Sequence, residues 1–471
     1  MAITTTSFRD AVRVKDLDQT GRKAALGAFF GLAVDFYDIY LPVVALTPAI
    51  IFFEPKNLSP QLVATLGFFV FAVTLIGRPI GAFIFGHLAD VVGRKRTTMI
   101  AVGGFAVFTF IIALLPGYQT WGLPSLLVLI ALRLVDGIFM GGEYTSANPL
   151  AMEACPRPLR GLIGGIIQAA YPIAYVAISI TTVIMLALVP AGNLNSPYVQ
   201  WGWRIPFFVG AILGGLFLIY YWRVEESRVW ESEGGATRTS APLKELFRGD
   251  NVRNLGQVFL LQSGQWLAVQ AAISAMPALL QNVLKLPAEG VTTALLVANI
   301  ALACGYIVLA VLGQMHGRRL WLIISGCWMG TVCVATYGLM VGSALAHAPL
   351  ILIMFWGGLT LVLAISPWGI VTPYINERFP TGVRASGYGI GYSLAVIIPS
   401  FYSFYLLGLS RLMPYEYTPL VLMFAAGVFA VLGAWLGPET RDVELHTFQP
   451  GRAADAAPAA TVERPRPETG G

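Results

Sequence analysis

The sequence predicts an all-α integral membrane fold, with twelve transmembrane helices arranged as two six-helix bundles. Three observations predict it. Of 471 residues, 56% are hydrophobic and 12% charged, with a mean hydropathy of +0.70; soluble domains carry about 25% charged residues. Twelve apolar runs come close to the ~20 residues a helix needs to cross a bilayer. Loop signals of the first half return at matching places in the second, as a duplicated six-helix unit requires.

The runs lie at roughly 25–52, 61–87, 97–115, 122–150, 161–189, 204–222, 255–281, 289–314, 319–341, 349–376, 384–409 and 418–437. They divide the chain into a polar lead (1–23), an N-terminal bundle (24–222), a central loop (223–253), a C-terminal bundle (254–440) and a tail (441–471). The lead is too polar, and the first run too long, for a cleaved signal peptide to be expected. Ala and Pro enrichment predicts a disordered tail, and Ser, Thr and Gly in the central loop predict a flexible link. Of 30 Lys and Arg, 24 fall on the side that holds both termini. Both termini are therefore expected in the cytoplasm of a multi-pass inner-membrane protein. The net charge of +5 follows from that bias and implies no nucleic-acid partner.

Run 1 carries GLAVDFYDIYLP, in which Gly31, Asp35, Asp38 and Pro42 share a face. Two carboxylates one turn apart in apolar surroundings resist being ionised together, which is proton-binding chemistry unless a cation such as Arg133 neutralises one. The alternative is that one of them solvates the cavity mouth. Run 2 holds Arg78 beside Pro79 and ends in GHLADVVGRKRT. Run 4 is the most charged: Arg133, Asp136, Met140 and Glu143 form one stripe. A charge at the bilayer centre costs about 2.5–3.5 kcal/mol, so the stripe should face a polar cavity or its own partners. Asp35, Asp38, Arg133, Asp136 and Glu143 are the proton-coupling candidates.

Run 5 offers Gln168, Tyr171, Pro172 and Tyr175 on one face. Cavity wall and helix packing both fit them. Run 7 brings Gln262, Gln265, Trp266 and Val269 to one face; amides are costly in lipid, so that face should line the cavity. Asn299 in run 8, and Tyr388 and Tyr392 in run 11, add polar groups. In run 10, Pro367 and Pro373 should break the helix on either side of Trp368, making a plausible moving gate. Tyr37, Arg133, Gln168, Tyr171, Tyr175, Gln262, Gln265, Trp266, Asn299, Trp368 and Tyr392 are the substrate-binding candidates. Runs 7 to 12 carry no charge in their interiors, so coupling falls to the first half and neutral recognition to the second.

The loop between runs 2 and 3, with Gly86, Leu88, Asp90, Gly93, Arg94, Lys95 and Arg96, resembles the cytoplasmic signature of the major facilitator superfamily. Glu153-x(6)-Arg160 resembles its second signature, repeated as Glu377-x(6)-Arg384. GQMHGRR at 313–319 echoes the first loop, and GPET at 437–440 echoes VEES at 224–227. The resemblance implies the major facilitator fold, alternating access, and a gating set of Asp90, Arg94, Glu153, Arg160, Glu226, Glu377, Arg384 and Glu439. The shortened echo lacks the Asp and should gate more weakly.

The acidic pair around Phe36-Tyr37, Gly141-Gly142-Glu143-Tyr144 and Trp203-Arg204-Ile205-Pro206-Phe207 resemble the metabolite:proton symporter branch and its sialate and sugar-porter relatives. Asp136 departs from that pattern, since many relatives are expected to carry Gln there. The resemblance implies proton symport of a small organic anion by a monomer in the lipid bilayer. A zwitterion or sugar acid, or proton-antiport efflux, stays open. No HExxH or GxSxG motif occurs; His87, His316, His347 and His446 lie outside the helix cores, and the four cysteines have no ligand spacing. Neither enzyme activity, metal nor cofactor is expected.

Overall fold

The computed structural model describes residues 7, 9, 17–55, 60–232 and 242–445. All regular structure among them is helical. Twelve long elements cross the molecule in alternating directions. The first six are α1 (Gln19–Ile39, extended by tighter and wider turns to Phe52), α2 (Pro60–Val92), α3 (Arg94–Ala113), α4 (Leu123–Glu153), α5 (Arg157–Leu188) and α6 (Arg204–Tyr221). The second six are α7 (Gly249–Val269, extended to Val283), α8 (Ala288–His316), α9 (Arg318–Leu345), α10 (Leu350–Arg378), α11 (Thr381–Leu409) and α12 (Thr418–Leu436). Eleven are long and apolar enough to span a membrane. The exception is α7, whose glutamines lower its hydropathy while burial in the bundle keeps them out of lipid.

Glycine decides two turns. Gly93 between α2 and α3 has φ 115°, and Gly317 between α8 and α9 has φ 118°, a region that side chains resist. Each turn is closed by a carboxylate. Glu226 accepts the Arg94 and Lys95 amides, and Glu439 accepts those of Arg318 and Arg319. The two halves therefore repeat one turn chemistry at the same end of the molecule, here termed the signature end.

Inside the first half, α2 and α4 touch backbone to backbone. A Cβ at Gly81 would strike the Ile138 carbonyl, and one at Gly137 or Gly141 the carbonyls of Thr74 and Arg78. This close approach brings Thr74 and Arg78 level with the charged stripe of α4.

Several expectations need correction. Pro367 does break α10, but Pro373 lies inside the helix Trp368–Arg378 and packs on Gly164. α7 starts at Gly249, inside the expected loop. That loop is not a plain flexible link where described: Arg228–Ser232 and Pro242–Leu246 are helical, and Trp230 Nε1 donates to the Asp90 carbonyl at 2.9 Å. The tail is ordered as far as it is described, since Leu445 is buried and Val443 accepts from Arg160. The disorder expected of 446–471, and the lead through residue 16 apart from 7 and 9, lie outside the described residues.

Beyond α1, at the opposite end, Glu54 is buried with neither oxygen bonded among the described residues, and burial pushes its pKa from the usual 4.5 to about 7. A carboxyl raised on folding weakens the folded state as pH climbs through that window. Wild type is expected to lose thermal stability between pH 5 and pH 8 relative to Glu54→Gln. Parallel pH profiles for the two melting temperatures would refute the assignment.

Candidate functional site

Three layers lie between the halves. At the signature end is an ionic gate. Glu153 of α4 receives Arg94 of α3 at 3.3 Å and Arg384 of α11 at 2.5 Å, and Ser227 donates to its other oxygen. Glu377 of α10 receives Arg318 at 2.6 Å and Arg160 of α5 at 3.8 Å. The expected signature residues therefore pair across the halves, Arg384 with Glu153 and Arg160 with Glu377.

Asp90 caps the start of α11, accepting Ala385 N, Ser386 N and Ser386 Oγ at 3.1, 2.9 and 2.7 Å. The echo loop places Gln314 at the matching position, where it accepts only Gly161 N from the other half, at 3.0 Å. A neutral amide with one cross-half bond thus stands where the first loop has a carboxylate with three. Among the described residues, every ion pair between the halves lies at this end.

Above the gate, neutral bonds tie α4 and α5 to α10 and α11. Tyr144 bonds Ser393 through their hydroxyls, Asn148 Nδ2 donates to Tyr388 Oη at 2.8 Å, and Gln168 Nε2 donates to Thr372 Oγ1 at 2.8 Å. Tyr388→Phe removes a buried acceptor worth about 1 kcal/mol, enough to raise the open fraction at this end about fivefold. Labelling of buried Cys155 should speed up to match. Unaltered labelling would mean that these bonds do not hold the halves.

The central cavity follows, lined by Phe36, Tyr40, Gln168, Tyr171, Trp266, Val269, Ile273, Tyr306, Ile365, Trp368 and Tyr392. Every lining residue is neutral, and the volume is only about 30 Å³, room for about two or three waters. The halves must therefore part before a metabolite can enter. Trp266, Trp368 and Tyr392 meet pairwise at 4.9–5.8 Å, edge to face. The Trp368 indole N–H has no hydrogen-bond partner among the described residues.

Beside this cavity, within the first half, lies the ion cluster. Asp35 pairs with Arg78 at 2.7 Å. Arg133 serves two carboxylates, Asp136 at 2.7 Å and Asp38 at 3.6 Å, and also donates to Thr74 at 3.0 Å. Thr109 donates to Asp38 at 2.9 Å. Glu143 is fully buried with both oxygens unbonded. The expected set is thus brought together, and of the α1 pair Arg133 serves Asp38 alone. Arg78 neutralises Asp35, and its intramembrane position beside Pro79 was the signal for it.

Not all substrate-binding candidates reach the cavity. Arg133 is fully buried among its carboxylates; Arg78 lies nearer, over the ring of Tyr144 at 4.6 Å and by Phe36 at 5.9 Å. Tyr37 points toward α6 and donates to the Pro206 carbonyl, because a step of one residue turns the helix by about 100°. Phe36 and Tyr40 line the cavity in its place. Tyr175 packs on Tyr40 at 5.3 Å. Asn299 bonds the Leu295 carbonyl of its own helix, while Tyr306, two turns further along the same face of α8, reaches the cavity. Gln262 and Gln265 are fully buried and do not line the cavity, and their amides have no partner among the described residues.

This architecture has known counterparts. Residues 28–403 match the family model described as Major Facilitator Superfamily. The chain belongs to that superfamily. It is 30% identical to the inner membrane metabolite transport protein YhjE of Escherichia coli (strain K12), over 80% of this chain and 84% of that one. It is 29% identical to the shikimate transporter of the same strain, over 80% and 85%. It is 25% identical to the proline/betaine transporter of Salmonella typhimurium, over 91% and 80%. Its fold matches the solved proton:xylose symporter XylE of E. coli with a TM-score of 0.72, 20% identity, and 89% and 96% coverage. The protein is therefore a multi-pass membrane transporter, not an enzyme.

Proposed function

We propose that this transporter carries a small carboxylate-bearing metabolite inward together with protons, with the signature end and both termini in the cytoplasm. The observation that carries the reading is the charge balance of the ion cluster. Four buried carboxyls, Asp35, Asp38, Asp136 and Glu143, face two guanidiniums, Arg78 and Arg133. Ionised carboxylates left uncompensated in a dry interior cost several kcal/mol each, so two protons balance the cluster. Asp38 and Asp136, competing for Arg133, share one of them as a dyad.

The substrate carboxylate would settle on the cavity floor toward Arg78, with Gln168 and the Trp368 indole as donors and the aromatic walls around its body. Arrival of an anion beside Arg78 weakens that cation's hold on Asp35. Substrate and proton affinities are then linked, and the linkage is reciprocal. A shikimate transporter among the relatives supports an organic acid. Zwitterion transport is the second reading, favoured by the neutral aromatic lining, which suits a quaternary ammonium, and by the proline/betaine relative. Both substrates bear a carboxylate.

The test is uptake into proteoliposomes with an imposed inside-alkaline gradient, using labelled hydroxy acids, dicarboxylates and quaternary-ammonium zwitterions. Accumulation that requires the gradient supports symport and names the substrate. Equal accumulation with and without the gradient would overturn it.

A further inference from the structure

We infer that Glu143 is the inner station of the proton route, the group from which the transported proton leaves toward the signature end; this rests on the symport reading above. Along the seam of α1 and α4 the carboxyls descend in order. Asp38 lies nearest the opposite end with Arg133 and Thr109, Asp35 follows one turn lower with Arg78, and Glu143 lies lowest, against Gly31 of α1. Asp35 and Gly31 are four residues apart, a rise of about 6 Å.

The seat is built for this carboxyl. A Cβ on Gly31 would collide with Glu143 Oε1 and come within 3.2 Å of Phe217, so glycine opens the room. Within it both oxygens of Glu143 are unbonded and fully buried, and no cation pairs with it among the described residues. The charged and titratable groups acting across this site are Asp35 of α1, Arg78 of α2, Tyr221 of α6 and Tyr388 of α11. Arg78 acts on both carboxyls, so it can offset whichever of Asp35 and Glu143 is ionised.

Hydroxyls continue the line downward. Ser146, three residues below, donates to the main-chain carbonyl of Gly142 at 2.8 Å, and its hydroxyl lies 2.8 Å from that of Thr98. Tyr221 donates to Thr98 at 3.4 Å, and Thr98 stands in the first turns of α3, beside Arg94 of the gate. When the gate opens, water entering along these hydroxyls takes the proton from the Glu143 carboxyl. The carboxylate left behind faces Arg78 until the proton held by the Asp38–Asp136 pair reaches it by way of Asp35.

The experiment sets internal and external pH independently in proteoliposomes holding wild type, Glu143→Gln, Glu143→Asp and Thr98→Val. Glu143→Gln is expected to lose gradient-driven accumulation at least tenfold and to become insensitive to internal pH. It should keep its response to external pH, and substrate exchange, which needs no net proton release, should persist. Glu143→Asp should restore accumulation with a displaced internal-pH midpoint, and Thr98→Val should slow net uptake more than exchange. A coupled wild type whose Glu143→Gln form keeps the same internal-pH profile overturns the inference alone. So does a Glu143→Asp form that loses exchange and accumulation together, which would mark a packing role. A wild type without gradient-driven accumulation overturns the symport reading itself.

Discussion

Arg133→Gln is expected to abolish transport and to destabilise the protein by about 3–5 kcal/mol, because it leaves two buried carboxylates without their shared cation. Arg133 is fully buried, 2.7 Å from Asp136 and 3.6 Å from Asp38. Neither carboxylate has another cation among the described residues, and Thr109 gives Asp38 only one hydrogen bond. A second change separates charge from shape. Arg133→Gln with Asp136→Asn removes one cation and one anion, so thermal stability in detergent should largely return. Gradient-driven accumulation should not return, since the dyad proposed to share the proton is gone. A single variant as stable as wild type would show that charge does not hold these groups together. A double variant no more stable than the single one would point instead to packing of the arginine stem.

Glu153→Gln is expected to open the signature end. Glu153 is the carboxylate on which Arg94 and Arg384 converge from opposite halves, both fully or nearly fully buried. Without it the closed form holds two guanidiniums whose nearest remaining carboxylate is Asp90, 3.4 Å from Arg94 and already bonded to the start of α11, a loss of about 3–5 kcal/mol. The open form hydrates both and loses little, so the equilibrium should move by about 10²–10⁴-fold. Cys155 reports on this, since it lies buried behind the gate two residues from Glu153. In a background lacking Cys304, Cys327 and Cys333, maleimide should label Cys155 slowly in wild type and rapidly in Glu153→Gln. Gln314→Glu tests the asymmetry of the two gates. A carboxylate beside the Gly161 amide should strengthen the weaker gate and slow the same labelling. Equal rates in wild type and Glu153→Gln would mean that the ionic layer does not set the equilibrium.

Much of this was legible in the sequence because each signal is local. Hydropathy and loop charge determine that the chain spans a membrane, since burying a peptide in lipid requires a helix of fixed length. The repeated Gly-Arg turns with their downstream glutamates identify two equivalent halves, because a positive-φ turn capped by a carboxylate is short-range chemistry. The expense of intramembrane charge singled out the stripe of α4 and the α1 pair, and the structure does cluster them.

Which cation serves which carboxylate was decided only by tertiary structure. Arg78 and Asp35 are 43 residues apart, and they meet because glycines let α2 and α4 touch through their backbones. The cavity wall was equally out of reach. Helical phase alone offers Tyr37 as readily as Phe36 or Tyr40, and Asn299 as readily as Tyr306. Only the packing of α1 on α6 chooses the face, and only the depth of the cavity along α8 chooses between two residues of one face. Sequence determines which side chains are too costly to leave in lipid; the rotation and approach of the helices determine which partner relieves each of them.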